Sequence, residues 1–282
     1  MQLTGSTFPY ARDRLPLARA LAGIAAAGFK FVSLGREHAE GPLLQDAGDK
    51  ALLDELREAI TSYGLQCRHA SFGGLTGDAR STAELLDYVR AGSYLGIQDV
   101  TVLAPERFER VDDGRQVPKS EKAMAAEREK FVAGMGKALP GAESEGVGLT
   151  LAPRPGTALT GSDLRELHGA LGSSNFAVCY DPVQAHFHKG IDPAKDAAAV
   201  AGFTRVLLAT DHAGVPGRLR TVPPGDGEIN VQGVLATLVT EGFDGVVIAA
   251  RLGVLGAARI DTEMKRAYAH LAAIRDRVTA SG

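Results

Sequence analysis

Five helical stretches of this chain end in a glycine that is followed at once by a short apolar run. The junctions are Ala27-Gly28-Phe29, Tyr63-Gly64-Leu65, Leu95-Gly96-Ile97, Glu145-Gly146-Val147 and Glu241-Gly242-Phe243. Glycine readily adopts the left-handed conformation that ends a helix, so each junction predicts a helix that turns directly into a strand. This alternation favours parallel strands joined by crossover helices.

Eight strand and helix pairs fit within 282 residues, a length close to the roughly 250 residues of a (β/α)8 barrel. Each predicted strand is short and almost continuously apolar, as a strand covered on both faces requires. The predicted strands cover residues 2–5, 29–34, 65–71, 99–104, 148–152, 176–181, 205–210 and 245–250. The predicted helices cover residues 15–27, 50–63, 81–95, 120–145, 162–171, 193–201, 230–241 and 257–278.

The predicted fold is therefore α/β, a TIM barrel in which residues 1–282 form one domain. An open doubly wound sheet is the alternative, but no G-x-G-x-x-G turn follows the first strand.

Ser81 and Ser120 are predicted helix caps, and the run PPGDGEIN is interpreted as a turn that puts Glu228 near a helix N-terminus. Residues 105–119 are interpreted as a solvated loop, with a lid or a partner contact as the alternative.

Composition and charge exclude several classes of function. A net charge of -3 and the absence of a basic tract argue against a nucleic-acid partner. No run approaches the roughly 20 apolar residues of a membrane span and no signal-peptide pattern is found, so no membrane partner and a cytoplasmic location are predicted. Cys67 and Cys179 are predicted to be reduced and buried. The chain contains no P-loop and no G-x-S-x-G motif.

Five segments in their order along the chain resemble the xylose isomerase-like barrels, which include sugar phosphate isomerases and epimerases, inosose dehydratases and endonuclease IV-like proteins. The segments are AAAGFKFVSL, LAPRPGT, DPVQAHFHKGIDP, LLATDHAG and PGDGEINVQGVLATLVTEGFDGVVIAA. The likeness covers essentially the whole chain and is strongest over residues 148–250. It implies the same barrel, and homo-oligomers are frequent in this family.

The resemblance also implies a divalent cation held by a Glu ending strand five, an Asp ending strand six, a His in strand seven and a Glu ending strand eight. Those four positions are occupied here by Ala152, Asp181, Leu208 and Ala250. Gln184 stands where the family has a His three residues after the Asp, and Ser33 aligns with an acidic residue of strand two. A lone carboxylate with an amide does not hold a cation tightly, so no metal and no cofactor are predicted.

The residues left around these positions are polar and mostly basic. His69, Asp181 and His212 are the predicted catalytic residues, because imidazole titrates near neutral pH and a carboxylate can orient it or take the proton itself. The predicted substrate-binding residues are Arg154, Gln184, Asp211, Arg218 and Arg251. A guanidinium can hold a phosphate, carboxylate or enolate oxygen in place of a cation. The alternatives are that Asp181 only caps a loop, that His212 only begins a turn and that the arginines are solvated.

Three hypotheses for function follow from these residues. The leading one is a divergent, metal-independent enzyme of the sugar isomerase/epimerase-like class, an isomerase or a lyase, that moves a proton next to a carbonyl of a small polyhydroxylated or anionic substrate. The second is a non-catalytic barrel that binds a small ligand or acts as a subunit beside an active partner. The third is a metal site rebuilt from Asp181, His186, His188, Asp211 and His212, although the spacing of His186 and His188 splays them apart on a helix.

Overall fold

Eight parallel strands close into a barrel in the computed structural model, which describes residues 1–44, 46–110, 116–214 and 220–280. The strands are β1 Gln2–Ser6, β2 Phe31–Leu34, β3 Gln66–Gly74, β4 Asp99–Leu103, β5 Gly148–Ala152, β6 Phe176–Tyr180, β7 Thr204–Leu208 and β8 Val246–Ala249. Each strand pairs with its neighbours along the chain, and β1 pairs with β8 to complete the ring. The predicted (β/α)8 barrel is confirmed.

Ten α-helices accompany the strands in the described part of the chain. They are α1 Phe8–Arg12, α2 Leu17–Ala27, α3 Lys50–Ser62, α4 Ala79–Tyr94, α5 Glu121–Ser144, α6 Gly161–Leu171, α7 Pro182–Lys189, α8 Pro193–Ala197, α9 Val231–Thr240 and α10 Ala257–Ala280. All five glycines of the helix-to-strand junctions have a positive φ, as at Gly28, where φ is 106° and the residue caps α2. Among the described residues, no helix is both long enough and apolar enough to cross a membrane.

Several predicted boundaries are wrong, and local hydrogen bonds explain most of them. Helix α4 is capped by the side chain of Asp78, which accepts from the backbone N–H of Ser81, so Ser81 lies inside the first turn. Ser120 does cap α5 as predicted. The predicted helix over residues 193–201 ends at Ala197, and a 3₁₀ turn, Ala201–Phe203, completes the connection. Residues 105–119 are not wholly irregular, because the short strands Phe108–Arg110 and Gln116–Pro118 pair in antiparallel fashion.

The apolar side chains form two separate groups. The larger one fills the space between the strands and the surrounding helices, where alternate strand residues such as Leu207, Val247 and Ala249 point. The smaller one lies inside the barrel and comprises Ala152, Cys179, Val206, Val246, Ile248 and Ala250, with the partly buried Leu103 and Leu208 packed against it. Because side chains alternate along a strand, residues two apart, such as Val246 and Ile248, share the inner face. The interior cluster, as we call this smaller group, forms the floor beneath the C-terminal mouth.

Candidate site at the C-terminal mouth of the barrel

Three of the four positions at which the resemblance implies metal ligands are apolar and belong to the interior cluster. Ala152 ends β5, Leu208 ends β7 and Ala250 directly follows β8, and all three pack within that cluster. None of these side chains has an atom that can bind a cation. The donor set left on the barrel axis is the carboxylate of Asp181 with the amide of Gln184, and it does not fit the family's four-ligand cation site.

Asp181 lies at the end of β6 and caps helix α7. Its Oδ1 accepts hydrogen bonds from the hydroxyl of Thr210 and from the backbone N–H of Val183, the latter at 3.2 Å. Its Oδ2 accepts from the Gln184 side-chain amide at 3.2 Å. Asp181 therefore caps a helix, where the alternative drawn from the sequence was a loop cap, and the same contacts fix its carboxylate at the mouth.

His69 does not lie beside the family's cation positions, where it was predicted. Strand β3 continues to Gly74, so His69 occupies its middle and points into the barrel, with 1% of its surface exposed. Its Nδ1 is 2.8 Å from the Ser33 hydroxyl and its Nε2 is 2.6 Å from that of Thr101, which contacts Thr150 in turn. Burial lowers the pKa of His69 to about 3. The geometry supports a structural role for this neutral ring rather than proton transfer.

Arg154 and Arg251 lie close enough at the mouth to repel each other electrostatically. Arg154 Nη2 forms an ion pair of 2.7 Å with Glu106 Oε1. Burial lowers the pKa of Arg154, Glu106 raises it and Arg251 lowers it further. Glu106 therefore pairs with Arg154 alone, and the Arg251 guanidinium beside them has no ion-pair partner among the described residues.

The charges of Arg251 and Asp181 both act on Cys179 in the interior cluster. Burial raises the pKa of the Cys179 thiol, Asp181 raises it further and Arg251 lowers it. Asp181 directly follows β6 and Arg251 follows Ala250 just after β8, so both residues lie at the C-terminal end of the barrel. Of the predicted residues, Asp181 and Gln184 are in hydrogen-bond contact, and Arg251 lies at the same end of the barrel.

Asp211 has a structural role that the sequence did not indicate. Its carboxylate accepts four backbone hydrogen bonds of 2.8–3.0 Å, from His212, Gly225, Gly227 and Ile229. Each oxygen of Asp211 already accepts two of these bonds, so the carboxylate has no acceptor site left for the predicted contact with substrate. It folds the loop between β7 and α9 back on itself. Arg218, another predicted contact, lies outside the described residues.

Loop folding brings His212 next to a histidine and a glutamate that lie elsewhere in the sequence. The rings of His212 and His186 are 5.4 Å apart between centroids, and His186, His212 and Glu228 each offer a ligand atom within 4.8 Å of the others. Burial lowers the pKa of His212, His186 lowers it further, and Glu228, Asp211 and Asp181 raise it. Sequence reasoning had given Glu228 only a place near a helix N-terminus. The missed signal is that PPGDGEIN, which contains Glu228, belongs to the same connection after strand seven as His212.

Comparison with known proteins assigns the family. Residues 21–268 match the xylose isomerase-like TIM barrel family, and the chain therefore belongs to it. No curated protein matches the sequence.

Solved structures of similar shape share little sequence with this chain. A D-tagatose 3-epimerase-like protein superimposes with a TM-score of 0.77 at 15% identity, covering 100% of this chain and 99% of its own. A protein named IOLI, with a binding zinc atom, has a TM-score of 0.77 at 15% identity, and 99% of each chain is covered. A D-psicose 3-epimerase has a TM-score of 0.72 at 14% identity, covering 96% of this chain and 98% of its own. At such low identity, these likenesses establish the fold alone.

Proposed function

We propose that this protein is an enzyme of the sugar isomerase/epimerase-like class that acts on a small anionic or polyhydroxylated compound without a cation on the barrel axis. The observation that carries the proposal is the pair Arg154 and Arg251 at the barrel mouth, where three of the family's four cation ligands are replaced by apolar side chains. Family membership and the sugar epimerases among the similar structures support the substrate class.

Arg251 is the proposed binding group for the oxygen that becomes negatively charged during the reaction. Its guanidinium has no ion-pair partner among the described residues, so it is free to hold a phosphate, a carboxylate or an enolate-like oxygen in two hydrogen bonds. Arg154, already held by Glu106, adds positive charge beside it. Fixed positive charge beside apolar side chains acts more strongly on an anion than the same charge in bulk water, because the effective dielectric constant there is lower.

Asp181 is the proposed proton acceptor, and Gln184 orients it. The carboxylate is held by three donors, while Oδ2 takes only the Gln184 amide and keeps an acceptor site for a substrate hydroxyl or proton. Removal of a proton next to a carbonyl and its return at the same or the adjacent carbon gives epimerisation or isomerisation. Expulsion of a neighbouring hydroxyl gives elimination instead.

Solvent deuterium exchange tests the proposal whichever product is formed, because each of these reactions begins with loss of the same proton. Metal-stripped protein would be incubated in D2O with ketoses, sugar phosphates and polyhydroxy keto acids, and deuterium next to each carbonyl would be followed by NMR. We expect exchange with at least one anionic member of the panel. Arg251→Ala should lower kcat/KM by about 30-fold or more, as expected for the loss of a charged hydrogen bond of about 2 kcal/mol.

Arg90→Ala is the matched control, because Arg90 is exposed on α4 and pairs with its neighbour Asp87. Exchange that needs added metal, or that is unchanged in Arg251→Ala, would contradict the proposed mechanism. Ligand binding without exchange would support the second hypothesis drawn from the sequence, a non-catalytic barrel that binds a small ligand.

A further inference from the structure

We propose that His186, His212 and Glu228 form a binding site for one divalent transition-metal ion, of which zinc is the best match, in the segments that follow β6 and β7 at the barrel mouth. The three ligand atoms lie within 4.8 Å of one another. This inference goes beyond the proposed function, which requires no ion. It also differs from the cation site that the family resemblance implies, because none of the three residues occupies a position of that site.

Three separate segments converge to build the site. His186 lies on α7, after β6, and His212 lies in the hairpin strand Asp211–Ala213, after β7. Glu228 lies in the loop before α9, where its backbone N–H donates to the His212 carbonyl at 2.8 Å. That hydrogen bond and the four accepted by Asp211 set the backbones of His212 and Glu228 side by side, so two of the ligands are positioned before any ion binds.

The ligands are also oriented by hydrogen bonds of their own. His186 Nδ1 lies 3.3 Å from the Ile191 carbonyl, which can only accept, so this nitrogen carries the proton and Nε2 keeps its lone pair for a metal. One oxygen of Glu228 accepts from the Gly214 N–H at 3.1 Å, and the other has no such bond to a described residue. Contacts of this kind fix the tautomer and direction of metal ligands in protein sites.

The His212 ring is buried and lacks a hydrogen-bonding partner. Only 3% of the residue is exposed, and its Nδ1 has none of the contacts that a buried polar atom requires. A buried nitrogen left without a partner destabilises the fold, because it has lost its hydrogen bonds to water and gained none in return. No described group forms a hydrogen bond with either ring nitrogen, so the ring is free to bind an ion.

The chemistry of the three ligands selects the kind of ion. Two imidazoles with one carboxylate form a zinc-binding set that leaves a fourth position open, whereas magnesium and calcium prefer oxygen ligands. Ligand atoms around a tetrahedral zinc lie about 3.4 Å apart, given metal–ligand bonds of about 2.1 Å. A small closing movement is therefore needed. Glu228 is exposed and His186 is only partly buried, so both side chains have room to make it.

The test is metal binding to the resting protein in the absence of substrate. Metal-stripped protein would be titrated with Zn2+ against a chromophoric chelator and, separately, with Co2+, whose visible spectrum reports tetrahedral nitrogen and oxygen coordination. We expect one ion per chain. His186→Ala and Glu228→Ala should each weaken zinc binding by at least about 100-fold, since even the loss of a residue that only supports a ligand costs up to about that much.

His188→Ala is the matched control, because His188 lies two residues after His186 on the same helix and its ring packs against Phe187 instead. Its zinc affinity should equal that of the wild type. Circular dichroism of each variant would establish that the fold is retained. The exposed Glu228 is a better position to test than the buried His212, because replacing a buried side chain can itself disturb the fold.

Two results would overturn the metal site: no zinc bound by the wild type, or equal affinity in the His186→Ala, Glu228→Ala and His188→Ala proteins. Failure here is separable from failure of the proposed function. Deuterium exchange by metal-stripped protein tests only the function, whereas zinc affinity without substrate tests only the site.

Discussion

His69 Nε2 lies 2.6 Å from the Thr101 hydroxyl inside the barrel, while the opposite ring nitrogen contacts Ser33. The ring therefore joins three strands through hydrogen bonds in a place that water does not reach. One nitrogen of a neutral imidazole donates and the other accepts, and a hydroxyl can serve either role. Protonation would put a second donor and a charge into this closed network.

Stability should therefore fall in acid because of His69. Burial lowers its folded-state pKa to about 3, whereas the unfolded value is about 6.5. Between these values only the unfolded chain takes up the proton, so the free energy of unfolding falls by about 1.4 kcal/mol for each pH unit below 6.5. The contribution is fully present above pH 6.5. His69→Gln should show a shallower loss of stability in urea unfolding at pH 7, 6 and 5.

His270→Gln serves as the control for this pH series, because His270 lies on the outer helix α10 and not in the barrel interior. The other histidines are present in both proteins and cancel in the comparison with His69→Gln. Parallel stability curves for the wild type and His69→Gln would show that His69 is not the group responsible.

Asp211→Asn should destabilise the loop before α9. The carboxylate accepts four backbone hydrogen bonds, and an amide nitrogen in place of one oxygen would face N–H donors that it cannot satisfy. A loss of about 2–4 kcal/mol in the free energy of unfolding is expected. Asp226→Asn is the comparison, since the exposed Asp226–Arg266 pair should contribute less than about 1 kcal/mol. Equal losses in the two variants would rule out the role given to Asp211.

Gly227→Ala and Gly169→Ala should have opposite effects on stability. A Cβ on Gly227 would lie 2.2 Å from Asp211 Oδ1 and 2.3 Å from the His212 carbonyl, so the loop would have to move. A Cβ on Gly169 would meet no atom within 4 Å, and this residue lies in α6. Alanine there should add up to about 1 kcal/mol through helix propensity. Thermal unfolding measures both, and a stable Gly227→Ala protein would disprove the tight packing of this loop.

The two cysteines should not react with a thiol reagent while the protein is folded. Cys67 and Cys179 are buried free thiols, and burial raises the pKa of Cys67 to about 12. Because the thiolate is the reactive form, Ellman's reagent at pH 8 should give no rapid signal from native protein and two thiols per chain after denaturation. Ser62→Cys, at an exposed position near the end of α3, should add one rapid thiol. Rapid reaction of the wild type would mean that a cysteine is accessible.

Much of the barrel could be predicted because its signals are local. A glycine that ends a helix acts within one turn, and Gly28 and Gly242 carry the positive φ that their positions indicated. Strands covered on both faces need apolar runs, and each of the eight predicted runs overlaps a barrel strand. The replacement of the family's cation ligands by Ala152, Leu208 and Ala250 is likewise visible in the sequence once the resemblance gives their positions.

The direction of individual side chains could not be predicted in the same way. Val32 and Ser33 of β2 face Cys67 and His69 of β3, so one extra residue on β3 lies between these pairs. Because of this bulge, the side chain of His69 points into the barrel. Simple alternation along the strand would have pointed it to the opposite face. A bulge depends on pairing with a strand that lies more than thirty residues away, and the local pattern around His69 contains no sign of it.

The sequence by itself determined the order of helices and strands, the closed barrel and the apolar character of the family's cation positions, because these depend on residue type and on neighbours along the chain. Only the tertiary structure decided which polar groups meet. His186, His212 and Glu228 come together because the loops after β6 and β7 fold towards each other, and the buried Asp211 holds the second loop in that shape. Contacts between such distant segments depend on the closure of the barrel, which no short stretch of sequence specifies.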